Sequence, residues 1–243
     1  MPRTACRIIP LLLLAGVIPG LAVAAELAPG PGLAVAEFVT LSEALADALA
    51  FPMLSSAAGL GTLGFEAVVA TGGPAASSSA GWWRNGVAGD PTLGVMTAPR
   101  AILRKGLPGR LDLGAQGGKV LGNPYWGVEG RWSVLEGGVL TPAVAVRGSH
   151  SRLTGAPLDV EVSEVSLAVS KGVGFFTPYA AVGYRWTRAD GRWGDEFEVE
   201  GRHRHQRVVA RVGLRTSLGP VFVVVEAFQS SRRGVLAGAG VRL

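Results

Sequence analysis

From Gly64 onward, apolar residues recur at every second position, and polar or small residues fill the alternate ones. A period of two marks β-strands whose two faces meet different surroundings. In 110–116, Leu111, Leu113 and Ala115 oppose Arg110, Asp112 and Gln116. In 126–134, Val128, Trp132 and Val134 oppose Glu129, Arg131 and Ser133. In 207–215, Val208, Ala210, Val212 and Leu214 oppose Arg207, Arg211 and Arg215. The alternation predicts ten strands, over 64–71, 94–105, 109–119, 125–135, 138–149, 160–171, 175–188, 197–217, 220–230 and 233–243. Strand ends are read only to ~2–4 residues, which spreads the count over roughly eight to twelve. Before Gly64 the period is helical. Leu41, Ala44, Leu45, Ala48 and Leu49 form one face of a short amphipathic helix over 40–50, with Thr40 and Glu43 spaced as a capping box. Residues 26–31 are Ala/Pro/Gly-rich and predicted to be disordered, and 55–64 read as a small-residue loop.

A soluble β-sandwich also alternates, so periodicity alone does not separate it from a membrane barrel. Composition does more. Hydrophobic residues make up 48% of the chain and charged ones 17%, with a mean hydropathy of +0.34. Glycine accounts for 36 of 243 residues, roughly twice the ~7% of average usage. Arg3 and Arg7 precede the apolar run Ile8 to Ala24, which closes on Ala22-Val23-Ala24. That is the layout of a secretory signal peptide over 1–24. Cleavage after Ala24 lowers the formal charge from +5 to +3 and removes Cys6, the only cysteine. A disulfide, a thiol nucleophile and a thiolate metal site are thereby excluded from the mature chain. No later apolar run reaches the ~18–20 residues of a spanning helix. In lipid, backbone polar groups must pair internally, which leaves helices and closed barrels as spanning structures.

The connections sharpen this. The links 106–109, 135–138, 171–174 and 217–220 are short and carry glycine. Of the alternate links, those near 72–92, 151–161 and 188–201 are long. Short turns at one end and longer loops at the other suit a barrel with short periplasmic turns. Tyr125, Trp126, Tyr184 and Trp186 fall at the expected outer strand ends, and Phe176 and Phe222 near the inner ones, as two interfacial girdles would.

On the signal peptide, the Gly-rich alternating strands and the final stretch 234–243, the chain resembles the bacterial outer-membrane β-barrel proteins as a broad class. The resemblance covers 64–243. It implies an all-β, antiparallel transmembrane barrel of about ten strands with a short N-terminal amphipathic helix. It divides the chain into a signal peptide (1–24), a linker and helix that form a candidate plug (25–63), and the barrel (64–243). It implies residence in the cell outer membrane after export, with outer-membrane lipid, lipopolysaccharide and the barrel-insertion machinery as partners. In that class the closing strand commonly ends in an aromatic; here it ends in Leu243. Val235, Ala237, Ala239, Val241 and Leu243 are expected to face lipid, with Leu236 turned inward.

Candidate chemistry is sparse. Arg110, Asp112, Glu129, Arg131, Arg147, Glu164, Arg185, Arg207, Arg211, Arg215, Glu226 and Arg242 are expected to face the lumen. An eight- to ten-stranded barrel is nearly filled by its side chains, so an ion-pair network sealing the lumen is favoured. The role expected is structural or the handling of small solutes or lipid. A narrow anion-preferring pore, or a transporter of hydrophobic compounds gated by the helix, is the alternative, kept open by the arginine excess. Arg152, Arg188, Arg192, Arg202, Arg204, Arg232 and Arg233 are expected at the outer surface, where lipopolysaccharide phosphates lie. His203 and His205 share a face and are the weak candidates for a metal, with Glu198 or Glu200 as a third group, but the surrounding arginines oppose a cation and no metal or cofactor is assigned. His150 and Ser151 are adjacent, so they point to opposite faces, which disfavours a lipid-modifying enzyme. Basic residues alternate with apolar ones rather than forming a stripe, which argues against nucleic acid.

Overall fold

The computed structural model describes residues 25–91, 93–153, 158–193 and 199–243. The signal peptide expected over 1–24 lies outside the described residues, as does Glu198. Ten strands close into one antiparallel barrel: β2 (Phe65–Pro74), β4 (Arg100–Leu107), β5 (Leu111–Val120), β6 (Asn123–Leu135), β7 (Ala143–Leu153), β8 (Leu158–Ser170), β9 (Phe176–Trp193), β10 (Val199–Leu218), β11 (Val221–Gln229) and β12 (Arg233–Arg242). β12 pairs with β2 to close the ring, from Gly234 opposite Pro74 to Arg242 opposite Glu66. Leu243 extends the seam by exchanging backbone hydrogen bonds with Phe65, at 2.9 Å each way. Closure leaves no open edge along this seam, so the chain's last residues are fully paired.

The wall alternates as its sequence dictates. Along β11, Val221, Val223, Val225 and Ala227 face out, and Phe222, Val224, Glu226 and Phe228 face in. On β12, Val235 is exposed and Leu236 is buried, and Leu243 just beyond it is exposed. Val241 departs from expectation. It keeps the outward register but is only 2% exposed, flanked at the seam by its partners Val221 and Ala67.

In two of the long loops expected at the outer end, the described residues are strand instead. β9 has 18 residues and β10 has 20, well beyond the ~9–11 that cross a membrane. β7 and β8 likewise continue to Leu153 and from Leu158. Alternation persists through these extensions, with Val160, Val162 and Ala189 buried against the interior and Asp159, Arg188, Arg202 and Arg204 on the outside. The first long connection, after β2, carries a short helix α2 (Gly81–Gly86) and β3 (Val87–Ala88). β3 pairs with β1 (Glu26–Leu27), so 26–31 are not all unstructured.

Large inward side chains sit opposite glycines on the next strand. Tyr179 faces Gly213, Phe222 faces Gly240, Phe228 faces Gly234 and Tyr125 faces Gly118. A β-carbon on Gly213 would lie 2.2 Å from Tyr179 Cζ, and one on Gly234 would lie 2.1 Å from Phe228 Cζ. Missing side chains make room for neighbouring rings, which accounts for much of the glycine on the inner face. It also corrects two girdle assignments: Tyr125 and Phe222 point inward and are buried, whereas Trp126, Tyr184, Trp186 and Phe176 stay exposed. Gly213→Leu should therefore displace the Tyr179 ring, and overpacking of this kind costs about 1–3 kcal/mol. A fall in urea midpoint, with no fall for Val212→Leu on the lipid side, is the expected result.

Candidate functional site

The interior is occupied by the chain's own N-terminal segment. Helix α1 runs from Val35 to Leu49, earlier than the expected 40–50. Its start is not Thr40, whose hydroxyl donates to Ala36 O inside the helix at 3.0 Å. Glu37 instead reaches back to accept from the Ala34 N–H at 3.2 Å, supplying the return half of a capping box without an N-cap side chain. Phe38, Leu41, Leu45 and Leu49 pack among Val120, Leu153, Leu158, Val160 and Ala189, on the inner faces of β5 and β7–β9.

A helix C-terminus leaves carbonyls without partners and carries partial negative charge. Here the wall supplies the donors. Arg100 donates to Ala48 O at 2.7 Å and Ala50 O at 3.0 Å, and Gln116 donates to Leu49 O at 2.9 Å. Residues 50–60 then run along the lumen without regular secondary structure, bonded to side chains of several wall strands. Arg104 donates to Met53 O at 2.8 Å and Pro52 O at 3.2 Å, and Arg147 to Pro52 O at 3.2 Å. Glu226 accepts the N–H groups of Met53 at 3.1 Å and Leu54 at 2.9 Å. Leu54 holds a left-handed φ of 43° at this grip, a conformation uncommon outside glycine. Further along, Arg131 donates to Ser55 Oγ and Ser56 O, Ser170 Oγ accepts from Ala57 N, Asp112 accepts from Leu60 N at 3.0 Å, and Arg242 donates to Gly59 O at 2.9 Å.

The same side chains bind one another. Glu129 pairs with Arg104 and with Arg147, the latter at 2.6 Å. Glu66 pairs with Arg104 at 2.9 Å and Arg215 at 2.6 Å. Asp112 pairs with Arg131 at 2.7 Å. Glu164 takes Arg211 and Arg185, and Arg185 reaches Asp47 of α1 at 2.5 Å. Glu226 also takes Arg211 at 3.4 Å and the Tyr179 hydroxyl at 2.9 Å. Among the described residues seven arginines and six carboxylates are buried. The near balance removes the arginine excess that the sequence suggested.

The structure thus places Asp112, Glu129, Arg131, Arg147, Glu164, Arg185, Arg211, Arg215 and Glu226 inside the barrel, buried. Arg242 is half-buried at the short-turn rim. Arg110 is not in the lumen. It sits in the β4–β5 turn with φ 64° and makes an exposed pair with Glu136. Arg207 keeps the inward register but is half exposed, beside Glu43 of α1 at 3.2 Å. Sequence reasoning missed Arg100 and Arg104, which share a face with Ile102, and Glu66 and Asp47, which complete the charge balance. The signal available for the first two was the alternation in β4.

At the outer end three of the arginines meet acids of the wall. Arg152 pairs with Asp159 at 2.7 Å and Glu161 at 3.3 Å. Asp190 takes both Arg188 and Arg202 at 2.7 Å. Partial burial raises the Asp190 carboxyl, but hydrogen bonds from Arg202 and Arg188 outweigh it and hold the group below the usual carboxylate range. Arg232 lies over the Trp82 ring at 4.5 Å, Arg233 bonds Gln229, and the Arg192 side chain lies outside the described residues. Ser151 faces inward to Gln116, while His150, on the outer face, bonds Ser163 Oγ across the strand pair at 3.0 Å. His203 and His205 do share a face, and among the described residues the carboxylate beside them is Glu43 of α1; Glu198 and the Glu200 side chain lie outside the described residues.

A closed antiparallel ring, apolar outside between aromatic residues and charged within, satisfies its backbone by strand pairing and shows its apolar side chains outward. The fold is that of an outer-membrane β-barrel. No family model and no curated protein matches the sequence. Similar solved structures include the N-terminal β-barrel domain of OprF from Pseudomonas aeruginosa, at 10% identity over 75% of this chain and 97% of that one, with a TM-score of 0.37. The attachment invasion locus protein Ail of Yersinia pestis matches at 9% identity over 75% and 99%, with a TM-score of 0.36. Neisserial surface protein A matches at 13% over 74% and 95%, with a TM-score of 0.33. The barrel's own pairing, not these distant likenesses, carries the assignment.

Proposed function

We propose that the protein is an outer-membrane barrel whose lumen is held shut by its own N-terminal segment, so that its role is structural and presented at the cell surface rather than conductive. The observation that carries this reading is the continuous set of bonds between residues 48–60 and inward side chains of the wall. A hydrated channel would leave those backbone groups to water; here buried side chains bind them. The end with long strands faces outward in this reading. β1, β3 and α2 then form a cap outside, with Leu27 N donating to Leu121 O of the β5–β6 turn at 3.0 Å. The short turns face the periplasm.

One observation favours lipid handling as a second reading. β11 ends at Gln229, the partner of Ala210, so 199–209 of β10 rise above it without a strand on that side. At this step an apolar groove of about 470 Å³ runs past Ala210, Val212, Ala227 and Val235, with Arg233 and Gln229 beside it. An acyl chain fits that lining, with the guanidinium near its headgroup.

Location and closure are tested together by fractionation and an unheated detergent gel. The protein should require detergent for extraction and should run faster unheated than boiled, because a paired barrel stays compact. Release from membranes without detergent would sink the reading.

A further inference from the structure

One cluster lies apart from the sealing network. Glu43 on α1 and His203 and His205 on β10 bring a carboxylate oxygen and two ring nitrogens within 4.8 Å of one another. The two histidines are alternate residues of one strand, so both rings project inward. The rings stack with centroids 4.9 Å apart and planes 25° apart. His203 Nε2 is 3.7 Å from Glu43 Oε1. His203 Nε2 and His205 Nδ1 are both buried without a hydrogen-bond partner. Two such ring nitrogens without a hydrogen bond are unusual, since buried polar atoms are nearly always paired.

We propose that Glu43, His203 and His205 form a divalent transition-metal site, suited to Zn2+, that clasps helix α1 to the barrel wall. Two imidazoles and one carboxylate are an established zinc set, with bonds of about 2.0–2.2 Å and a fourth position for water. Such bonds need the three donors somewhat closer than they stand, which side-chain rotation at this partly exposed site supplies. Arg185 and Arg232 also lie near the cluster but are engaged by Asp47 and the Trp82 ring, and the cation directly on it is Arg207, which holds Glu43 at 3.2 Å. That arginine is 52% exposed, and an exposed pair of this kind is worth about 0–1 kcal/mol. Arg207 can therefore swing to solvent and leave the carboxylate to the metal. Because Glu43 is on the plug helix and both histidines are on β10, the ion would join two elements separated in the chain by residues 50–198. A clasp of this kind is independent of whether the barrel conducts.

The test uses the untagged full-length protein, folded in detergent and stripped with EDTA, titrated with Zn2+ by calorimetry and with Co2+ by visible absorption. One Zn2+ per chain and a tetrahedral Co2+ spectrum are expected. His203→Ala, His205→Ala and Glu43→Gln should each weaken binding by about tenfold or more, while His150→Ala leaves it unchanged. Arg207→Ala should tighten it, an effect that a purely structural role for the histidines does not produce. Failure of the wild type to bind Zn2+ at about 100 μM, or binding that survives in the His203→Ala/His205→Ala double variant, would overturn the proposal. Folding of each variant is checked by its unheated gel mobility, and the wild-type titration decides the matter even where a variant does not fold.

Discussion

Replacing Glu129 with alanine should lower stability by about 3–5 kcal/mol, the range seen when one partner of a buried ion pair is removed. Glu129 lies between Arg104 and Arg147. Both guanidinium groups are nearly inaccessible, and both also bind carbonyls of the plug at Pro52, with Arg104 reaching Met53 as well. Arg104 would retain Glu66, but Arg147 would keep no carboxylate within ion-pair distance among the described residues, Glu164 acting on it only from farther off. An uncompensated buried cation is the costly outcome, since the mutual attraction of a pair only offsets desolvation while both partners are present. Gly114 is part of the design at this point: a β-carbon there would meet Glu129 Cγ at 2.9 Å, so the glycine makes the space in which the carboxylate lies. A urea titration followed by gel mobility is the measurement. Glu129→Gln, which preserves shape and some hydrogen bonding, should lose less than Glu129→Ala. A change below about 1 kcal/mol for Glu129→Ala would show that the network is ornamental to the fold.

Glu226→Ala should act on the plug more than on the wall. Its carboxylate receives two successive backbone N–H groups of the segment, the Tyr179 hydroxyl and Arg211. Without it, Met53 and Leu54 lose their acceptor at the point where Leu54 holds its left-handed turn. Each orphaned buried donor costs about 1–3 kcal/mol, so residues 51–54 should leave the wall for part of the time. Arg211 keeps Glu164, which limits the damage to the barrel itself. The expected result is brief current openings in planar bilayers and new protease cleavage within 50–60, with strand content unchanged. An unaltered cleavage pattern would mean that residues 51–54 are held by something other than this grip.

Much of the barrel was legible because its two solvents differ. Lipid outside and a packed charged interior impose a period of two on every strand, and the inward arginines of β10 stand out against valine and leucine. Strand ends were less legible. Above the aromatic belt the outer face turns polar, as at Asp159, Glu161, Arg188 and Asp190, so continuing strand looks like loop while the inner face still alternates. The helix start was hidden because Ala34 offers no capping side chain and the first turn is marked only by Glu37. The path of 50–60 had no local signal at all. Its backbone is satisfied by side chains from strands distant in sequence, so its conformation belongs to the wall rather than to its own residues. The pairing of rings with glycines was likewise invisible, because it exists only once strand register is known. Glu66 and Asp47 were overlooked for a related reason: each is a lone acid whose partners lie on other elements, and without them the arginine excess kept an anion path open as the alternative to a sealed lumen.

The central claim, that the chain closes its own barrel, is tested most directly by electrical recording from the full-length wild-type protein in planar bilayers. Folded protein, confirmed by its unheated gel mobility, is expected to insert without stable current steps in high salt at either polarity. Reproducible single-channel steps carried by that same protein would contradict the account, because an open path cannot coexist with residues 48–60 bound across the lumen as they are here.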